Sequence, residues 1–121
     1  MQEPKKKELG PRLIGVKELN AIIDPDWQIK CTVNKKHPVK THAKGKLFKV
    51  DLIDDMDRET MIEGTFYTDE TDFFVNKIFE GKTYLISRAE ISSANKKFTT
   101  IKHDYRLIFK VESQLDEVTE S

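Results

Sequence analysis

The chain has only one cysteine, Cys31, among its 121 residues. A single cysteine cannot form a disulfide within the chain, which excludes the disulfide-stapled scaffolds of small secreted domains. The composition therefore favours a reducing compartment, the cytosol or the nucleus.

Long apolar runs and catalytic signatures are also missing from the sequence. No apolar stretch approaches the length of a membrane span, and the first residues lack the apolar centre of a signal peptide, so we expect no membrane partner. There is no phosphate-binding glycine loop, nucleophile elbow or triad signature. The sequence predicts a protein that is not an enzyme and needs no cofactor.

Metal-ligand patterns are equally weak. The spacing of Cys31, His37 and His42 matches no common zinc site, and a fourth ligand is not evident. The acidic run 51–59 lacks the glycine and the spacing of a calcium loop. We therefore predict no metal site.

Net charge is absent overall, because 21 basic side chains balance 21 acidic ones. The two signs are nevertheless separated along the chain. Residues 27–50 are rich in lysine and contain no acid, whereas residues 51–72 are rich in carboxylates, with Arg58 as their only basic residue. This pattern predicts a basic side and an acidic side.

The length and the 37% hydrophobic content suit one domain with its own core. Pro4, a run of lysines and Gly10-Pro11 indicate a linker at the start, and the end is acidic without a base. We expect a linker at 1–12, one domain at 13–111 and an acidic tail or linker at 112–121.

Within the domain, apolar residues mostly recur at every second position, as in Trp27, Ile29, Cys31 and Val33, which predicts β strands. The predicted strands cover 27–33, 46–53, 60–67, 83–91 and 97–101, the last continuing past a bulge near 103–104 to residue 111.

One helix is indicated after the third predicted strand. Thr68 or Asp69 can act as its N-cap, Phe74 and Ile78 lie one turn apart, and Gly81 ends it.

This order of elements is that of an all-β, five-stranded antiparallel OB-fold barrel with one short helix between strands three and four. An SH3-like barrel or another small β domain shares the alternating pattern. OB folds bind oligonucleotides on strands two and three, between the loops that join strands one to two and four to five. Those loops are 34–45, predicted to be long and mobile, and 92–97, and both carry lysines.

Two phenylalanines are candidate platforms for unpaired bases. Alternation places Phe98 outward, since Thr99 and Ile101 suit the inward face. The orientation of the Phe66 side chain is less clear. If Met61 and Thr65 face the core, Phe66 faces the groove. Glu63 then points inward, which requires a bulge or a shifted register.

The segment Ser92–Tyr105 contains Ala-Asn-Lys-Lys-Phe-Thr followed by Asp-Tyr. It resembles the region joining strands four and five in the first high-affinity DNA-binding domain of the replication protein A large subunit. Other matches are Gly45-Lys46-Leu47-Phe48, Phe73-Phe74, Trp27 and Val33-Asn34-Lys35, and the similarity runs from about Leu13 to Phe109.

The resemblance implies that Phe66 and Phe98 stack on bases of single-stranded DNA. It also implies strand contacts from Lys40 in the first loop, with Lys44 and Lys46 nearby, and from Asn95 and Lys96 in the second loop.

The sequence also departs from the family. The first loop is shorter here, and Ile62 and Ser92 stand where the family has basic side chains, so some phosphate contacts are expected to be missing. Arg106 replaces an acid of the family, and we expect it to compensate in part by contacting DNA.

The resemblance implies a nuclear single-stranded DNA-binding module that acts in replication, repair or recombination. Its expected partners are single-stranded DNA, further OB domains of the same chain and other subunits of a replication protein A-like or telomerase complex. A telomere-associated paralogue that binds G-rich strands, an OB domain used for protein docking, and RNA as the ligand are the alternatives.

Overall fold

A computed structural model of the chain describes residues 11–119. Across this range the chain forms nine strands, a 3-10 turn (Val16–Glu18) and an α helix, α1 (Thr68–Phe74). The strands are β1 (Arg12–Leu13), β2 (Trp27–Lys36), β3 (Lys40–His42), β4 (Gly45–Asp54), β5 (Met61–Tyr67), β6 (Thr83–Ser87), β7 (Glu90–Ser93), β8 (Tyr105–Ile108) and β9 (Gln114–Glu117).

One curled sheet contains all of these strands, in the order β7-β8-β5-β4-β2-β6-β9, with β1 beside β2 and β3 beside β4. β5 pairs with β8, and β1 with β2, in parallel, and the other pairs are antiparallel. The all-β OB-fold prediction is confirmed, although the strands are more numerous than the five expected and two of the pairings are parallel.

The core lies on one face of β2, β4 and β5. β2 buries Trp27, Ile29, Cys31 and Val33, as the alternation predicts. β4 buries Phe48, Val50, Leu52 and Asp54. Residues of opposite parity on β4 turn to the outer face, and this face of the sheet carries the candidate site.

The first loop differs from the prediction. β2 continues to Lys36, and Lys40–His42 form β3, which pairs with β4 in the register Lys40↔Leu47 and His42↔Gly45. The expectation of a mobile loop over the whole of 34–45 is therefore wrong, because most of this segment belongs to backbone ladders.

The helix is shorter than predicted and has a different cap. Its N-cap is Tyr67, with no capping side chain, and it ends at Phe74 rather than near Gly81. Beyond that end the Lys77 N–H donates to the carbonyl of Phe74, and the Lys36 ammonium donates to that of Val75. These bonds satisfy carbonyls that would otherwise be orphaned.

The later strands also differ. The predicted fourth strand is broken at Arg88, whose φ of 61° is left-handed, so that β6 pairs with β2 and β7 pairs with β8. Residues 97–101 are not a strand, and the fifth strand is limited to β8.

The expected linkers are revised where the structure describes them. Gln114–Glu117 form β9 on the edge of β6, with Leu115 packed against the core, so this part of the acidic end belongs to the sheet. At the start, Arg12 is already in β1. Residues 1–10 of the predicted N-terminal linker and residues 120–121 of the predicted acidic tail lie outside the described residues. Among residues 11–119, no helix has the length and apolar character that crossing a membrane requires.

Candidate nucleic-acid interface

A groove of about 630 Å³ lies on the outer face of β4 and β5. One wall comes from the first loop and β3, with His37, Pro38 and Lys40. The opposite wall comes from residues 96–101. The groove thus occupies the place where OB folds bind oligonucleotides, between the loops that flank strands two and three.

The floor of the groove carries acidic and basic side chains in contact. Asp51 of β4 stands directly opposite Glu63 of β5 in the ladder. The Lys49 ammonium lies 3.6 Å from a Glu63 oxygen, and His37 Nε2 lies 3.0 Å from an Asp51 oxygen. Thr65 donates a hydrogen bond to Glu63 at 3.2 Å. Each of these two adjacent carboxylates thereby has its own partner, Lys49 for Glu63 and His37 for Asp51, at a position where opposed like charges would otherwise repel.

Phe98 stands at the rim of this groove with 73% of its surface exposed. A turn centred on Asn95 sets its position: the Phe98 N–H donates to the Asn95 carbonyl at 3.0 Å, and the Lys97 N–H donates to Asn95 Oδ1 at 3.1 Å. The outward position predicted for Phe98 is confirmed. Asn95 serves the turn through its side-chain oxygen and, although exposed, does not line the groove.

Phe66 does not face the groove. Its ring is fully buried between those of Phe48 and Phe109, with centroids 4.3 Å and 4.4 Å away and nearly parallel planes. The register of β5 is the cause, since Phe66 stands opposite Phe48, a core residue of β4. The expectation that Phe66 faces the groove is therefore wrong, and a base cannot stack on it in this conformation.

The lysines predicted in the first loop are dispersed. Lys40 is exposed and lines the groove. Lys44 is exposed in the β3–β4 turn but does not line it. Lys46 has the same parity as Phe48 and forms a 2.6 Å ion pair with Asp72 of α1, so it is directed to the helix side. Of these three lysines, only Lys40 belongs to the groove.

Lys49 and Lys97 line the groove, although the sequence pattern did not single them out. Lys49 could have been found from alternation, because it lies two residues from Leu47 and Asp51 on the outer face of β4. Lys97 adjoins Phe98 in the basic turn, and its position depends on the fold of that turn.

Lys96 lines the groove, but its ammonium is directed at the backbone. Nζ donates to the carbonyls of Ile101, Lys102 and His103 at 3.4, 2.7 and 2.8 Å. An ammonium has three N–H donors, and three carbonyls engage them here.

Arg106 lies beside the groove rather than in it. It stands next to Glu63 in β5 and Ser92 in β7, and its half-buried side chain has a buried Nε without a hydrogen-bond partner among the described residues. Ile62 is fully buried on the core face, so its position could not offer a phosphate contact whatever its charge.

A second cavity of about 720 Å³ lies beyond the segment that forms the second wall, and Asp51, Thr100 and Ile101 line both cavities. His103 fixes this segment to the N-terminal part of the domain. Its Nδ1 accepts the Tyr105 N–H at 3.0 Å, so Nε2 carries the proton and donates to the Val16 carbonyl at 2.9 Å.

The structure does not assemble Cys31, His37 and His42 into a metal site. Cys31 is buried in the core, whereas His37 pairs with Asp51 and His42 is exposed. Over residues 11–119, no group of three or more His, Cys, Asp and Glu side chains is arranged to hold a metal ion.

No protein-family model matches the chain. Curated relatives do. The chain is 32% identical over 93 residues to replication factor A protein 1 of Schizosaccharomyces pombe, covering 74% of this chain and 15% of the relative. It is 31% identical over 93 residues to the replication protein A 70 kDa DNA-binding subunit of Danio rerio, covering 74% of this chain and 15% of the relative.

Solved structures extend the comparison. DNA-binding domain A of Saccharomyces cerevisiae replication protein A is 30% identical, with a TM-score of 0.66, and the match covers 91% of this chain and 97% of that domain. The chain belongs to the replication protein A family of DNA-binding domains. A replication protein A heterotrimer bound to single-stranded DNA also matches, with a TM-score of 0.70, 30% identity and coverage of 84% of this chain and 25% of that one. The predicted resemblance to replication protein A is confirmed, and the chain spans only a small part of its full-length relatives.

Proposed function

We propose that the chain is a single-stranded DNA-binding module of a replication protein A-like large subunit and that it binds DNA without catalysing a reaction. The observation that carries this proposal is the exposed ring of Phe98 at the rim of a groove whose walls also carry Lys40 and Lys97. Unpaired bases stack on aromatic rings, worth about 1–3 kcal/mol per base, while lysines follow the phosphates.

The floor of the groove supports an orientation for the strand. Lys49 of the floor is already paired with Glu63, whereas Lys40 and Lys97 at the rims are exposed, so the backbone follows the lysines at the rims and the bases point to the floor. Among the described residues, one aromatic platform serves the groove, because Phe66 is in the core. We therefore expect modest affinity from this domain alone, with further OB domains of the same chain supplying the remainder.

Two relatives, named as a replication factor and a DNA-binding subunit, support a proposal for the cellular role. We infer a nuclear protein that acts in DNA replication, repair or recombination, together with other subunits of a replication protein A-like complex.

A telomere-associated paralogue that binds G-rich strands is a second candidate, favoured by the carboxylates of the floor. Carboxylates accept hydrogen bonds from the amino groups of bases, and guanine and cytosine offer such groups whereas thymine does not. Protein docking has less support, because Phe98 is exposed on a cationic rim rather than buried.

Fluorescence anisotropy with labelled oligonucleotides tests the proposal. We expect binding to oligo-dT or a G-rich single strand that exceeds binding to duplex DNA and falls as salt rises. The ratio of G-rich to dT affinity distinguishes the general module from the telomere-associated paralogue. RNA of the same sequence tests whether binding depends on the sugar. Absence of binding to any single strand at low salt contradicts the proposal.

A further inference from the structure

The backbone of residues 97–103 lacks strand pairing, although it forms one wall of the groove. Buried or ordered backbone carbonyls need hydrogen-bond partners, and a segment outside a ladder must find them elsewhere. In this segment the partner of three consecutive carbonyls, those of Ile101, Lys102 and His103, is the side chain of Lys96.

These bonds close a loop around Phe98. Lys96 precedes Phe98 by two residues, and the carbonyls that it binds follow Phe98 by three to five residues. The base of the same loop is fixed by the Ala94 N–H, which donates to the Asp104 carbonyl at 2.9 Å. His103 then ties the loop to Val16. The exposed ring therefore stands on a backbone that is held from several sides.

We propose that Lys96 is a positioning residue, which orders the loop that carries Phe98, and that it makes no phosphate contact. The proposal rests on the function proposed above and corrects the role that the resemblance implies for Lys96. All three ammonium protons are engaged by the backbone, so a phosphate would have to displace these bonds. A loop that is ordered before binding reduces the ordering cost of the complex.

Lys97 is a matched control. It is the next residue, it lines the same groove, its side chain is exposed, and it has no ion pair or side-chain hydrogen bond within the described part of the chain. Lys96→Met and Lys97→Met each remove one positive charge from the same turn. Comparing them therefore distinguishes the effect of a disordered loop from the effect of a missing phosphate contact.

The first measurement is DNA affinity as a function of salt. For single strands the slope of log K against log salt changes by about 0.7 for each phosphate contact that a substitution removes. We expect Lys97→Met to reduce the slope by about 0.7. We expect Lys96→Met to leave the slope unchanged and to weaken binding about three- to tenfold, because a loosened loop must be ordered when DNA binds. A reduction of about 0.7 in Lys96→Met overturns the proposal.

The second measurement needs no DNA and separates this proposal from the proposed function. Amide hydrogen exchange at Phe98 and Ile101 should speed up in Lys96→Met, remain as in the native chain in Lys97→Met, and recover in part in Lys96→Arg, which retains charge and donors. Unchanged exchange in Lys96→Met overturns the positioning role. If the native chain binds no DNA while exchange responds as expected, the proposed function fails and the ordering of the loop by Lys96 stands.

Discussion

The rings of Phe48 and Phe66 lie parallel in the core, with centroids 4.3 Å apart and planes 3° apart. They face each other across the β4–β5 ladder, and Phe109 covers the other side of Phe66 at 4.4 Å. Stacked aromatic side chains bury large apolar areas. Phe66 therefore contributes to the stability of the fold, whereas Phe98 is available to a ligand.

Replacement of Phe66 and of Phe98 should separate these roles. Phe66→Ala should lower the free energy of unfolding by about 3–5 kcal/mol, as expected for a buried phenylalanine. Phe98→Ala removes an exposed ring and should change the free energy of unfolding by no more than about 0.5 kcal/mol. Urea denaturation measures both values, and a small loss in Phe66→Ala would contradict the placement of Phe66 in the core.

Gly64 allows β5 to approach Phe109. A Cβ at this position would lie 2.8 Å from Phe109 Cε1 and 3.0 Å from Val50 Cγ2. We expect Gly64→Ala to destabilise the domain by about 1–3 kcal/mol, as overpacking does. Gly15→Ala is the control, because its Cβ would meet nothing closer than 3.6 Å. Equal melting temperatures for the two variants would show that the sheet and Phe109 are not packed this closely.

Asp54 fastens the N-terminal segment to the end of β4. Its carboxylate is buried and accepts the N–H groups of Val16 and Met56, each at 2.8 Å. Asp54→Ala leaves these donors unsatisfied and should lower the free energy of unfolding by about 1–3 kcal/mol for each donor that water cannot reach. Asp72→Ala breaks only the exposed Lys46 pair and should cost at most about 1 kcal/mol. Chemical denaturation compares the two, and similar losses would contradict the buried role of Asp54.

Cys31 should make the fold sensitive to alkaline pH. Burial raises the pKa of its thiol well above the ordinary value, and the carboxylates of Asp54 and Asp55 raise this pKa further. The thiol ionises in the unfolded chain above about pH 8.5 but stays protonated in the folded chain, so stability falls as pH rises, by at most about 1.4 kcal/mol per pH unit. Unfolding at pH 7.5 and 9.5 should show this loss, and Cys31→Ala should reduce it. An identical pH dependence in the variant would refute the assignment.

Much of the fold could be predicted from sequence, because alternation identifies a strand when its apolar residues occur only at every second position. β2 and β4 bury every second residue, and their predicted positions are confirmed. Phe98 was also placed outward correctly, although residues 97–101 do not form the strand whose alternation gave that placement. In β2 and β4 local pattern and long-range packing agree.

The register of β5 could not be decided in the same way. Its apolar residues occur at both parities, with Met61 on one face and Ile62 and Phe66 on the other, and a shift of one residue exchanges the faces. The close packing of Gly64 under Phe109 favours the observed register, and that contact is distant in sequence. The structure therefore turns Glu63 to the groove without a bulge.

The segments around 97–103 and 114–117 were predicted wrongly for a related reason. Residues 97–101 alternate like a strand, but their neighbouring carbonyls at 101–103 bond to a side chain. The acidic end was interpreted as a tail because of its charge. The edge of β6 nevertheless pairs with it, and the Lys82 ammonium lies 3.1 Å from a Glu117 carboxylate oxygen. In the first case the deciding partner is a neighbouring lysine side chain, which apolar alternation does not take into account, and in the second it is a strand that is distant in sequence.

Stacking on Phe98 is measured by the anisotropy of a labelled single-stranded oligonucleotide titrated with three proteins: the native chain, Phe98→Ala and Phe79→Ala. Phe79 is a partly exposed phenylalanine that does not line the groove, so it controls for general loss of aromatic surface. We expect Phe98→Ala to weaken binding about 5- to 150-fold, as the loss of about 1–3 kcal/mol of stacking requires, and Phe79→Ala to bind like the native chain. Equal affinities for Phe98→Ala and the native chain would contradict the claim that this groove holds DNA by stacking on Phe98.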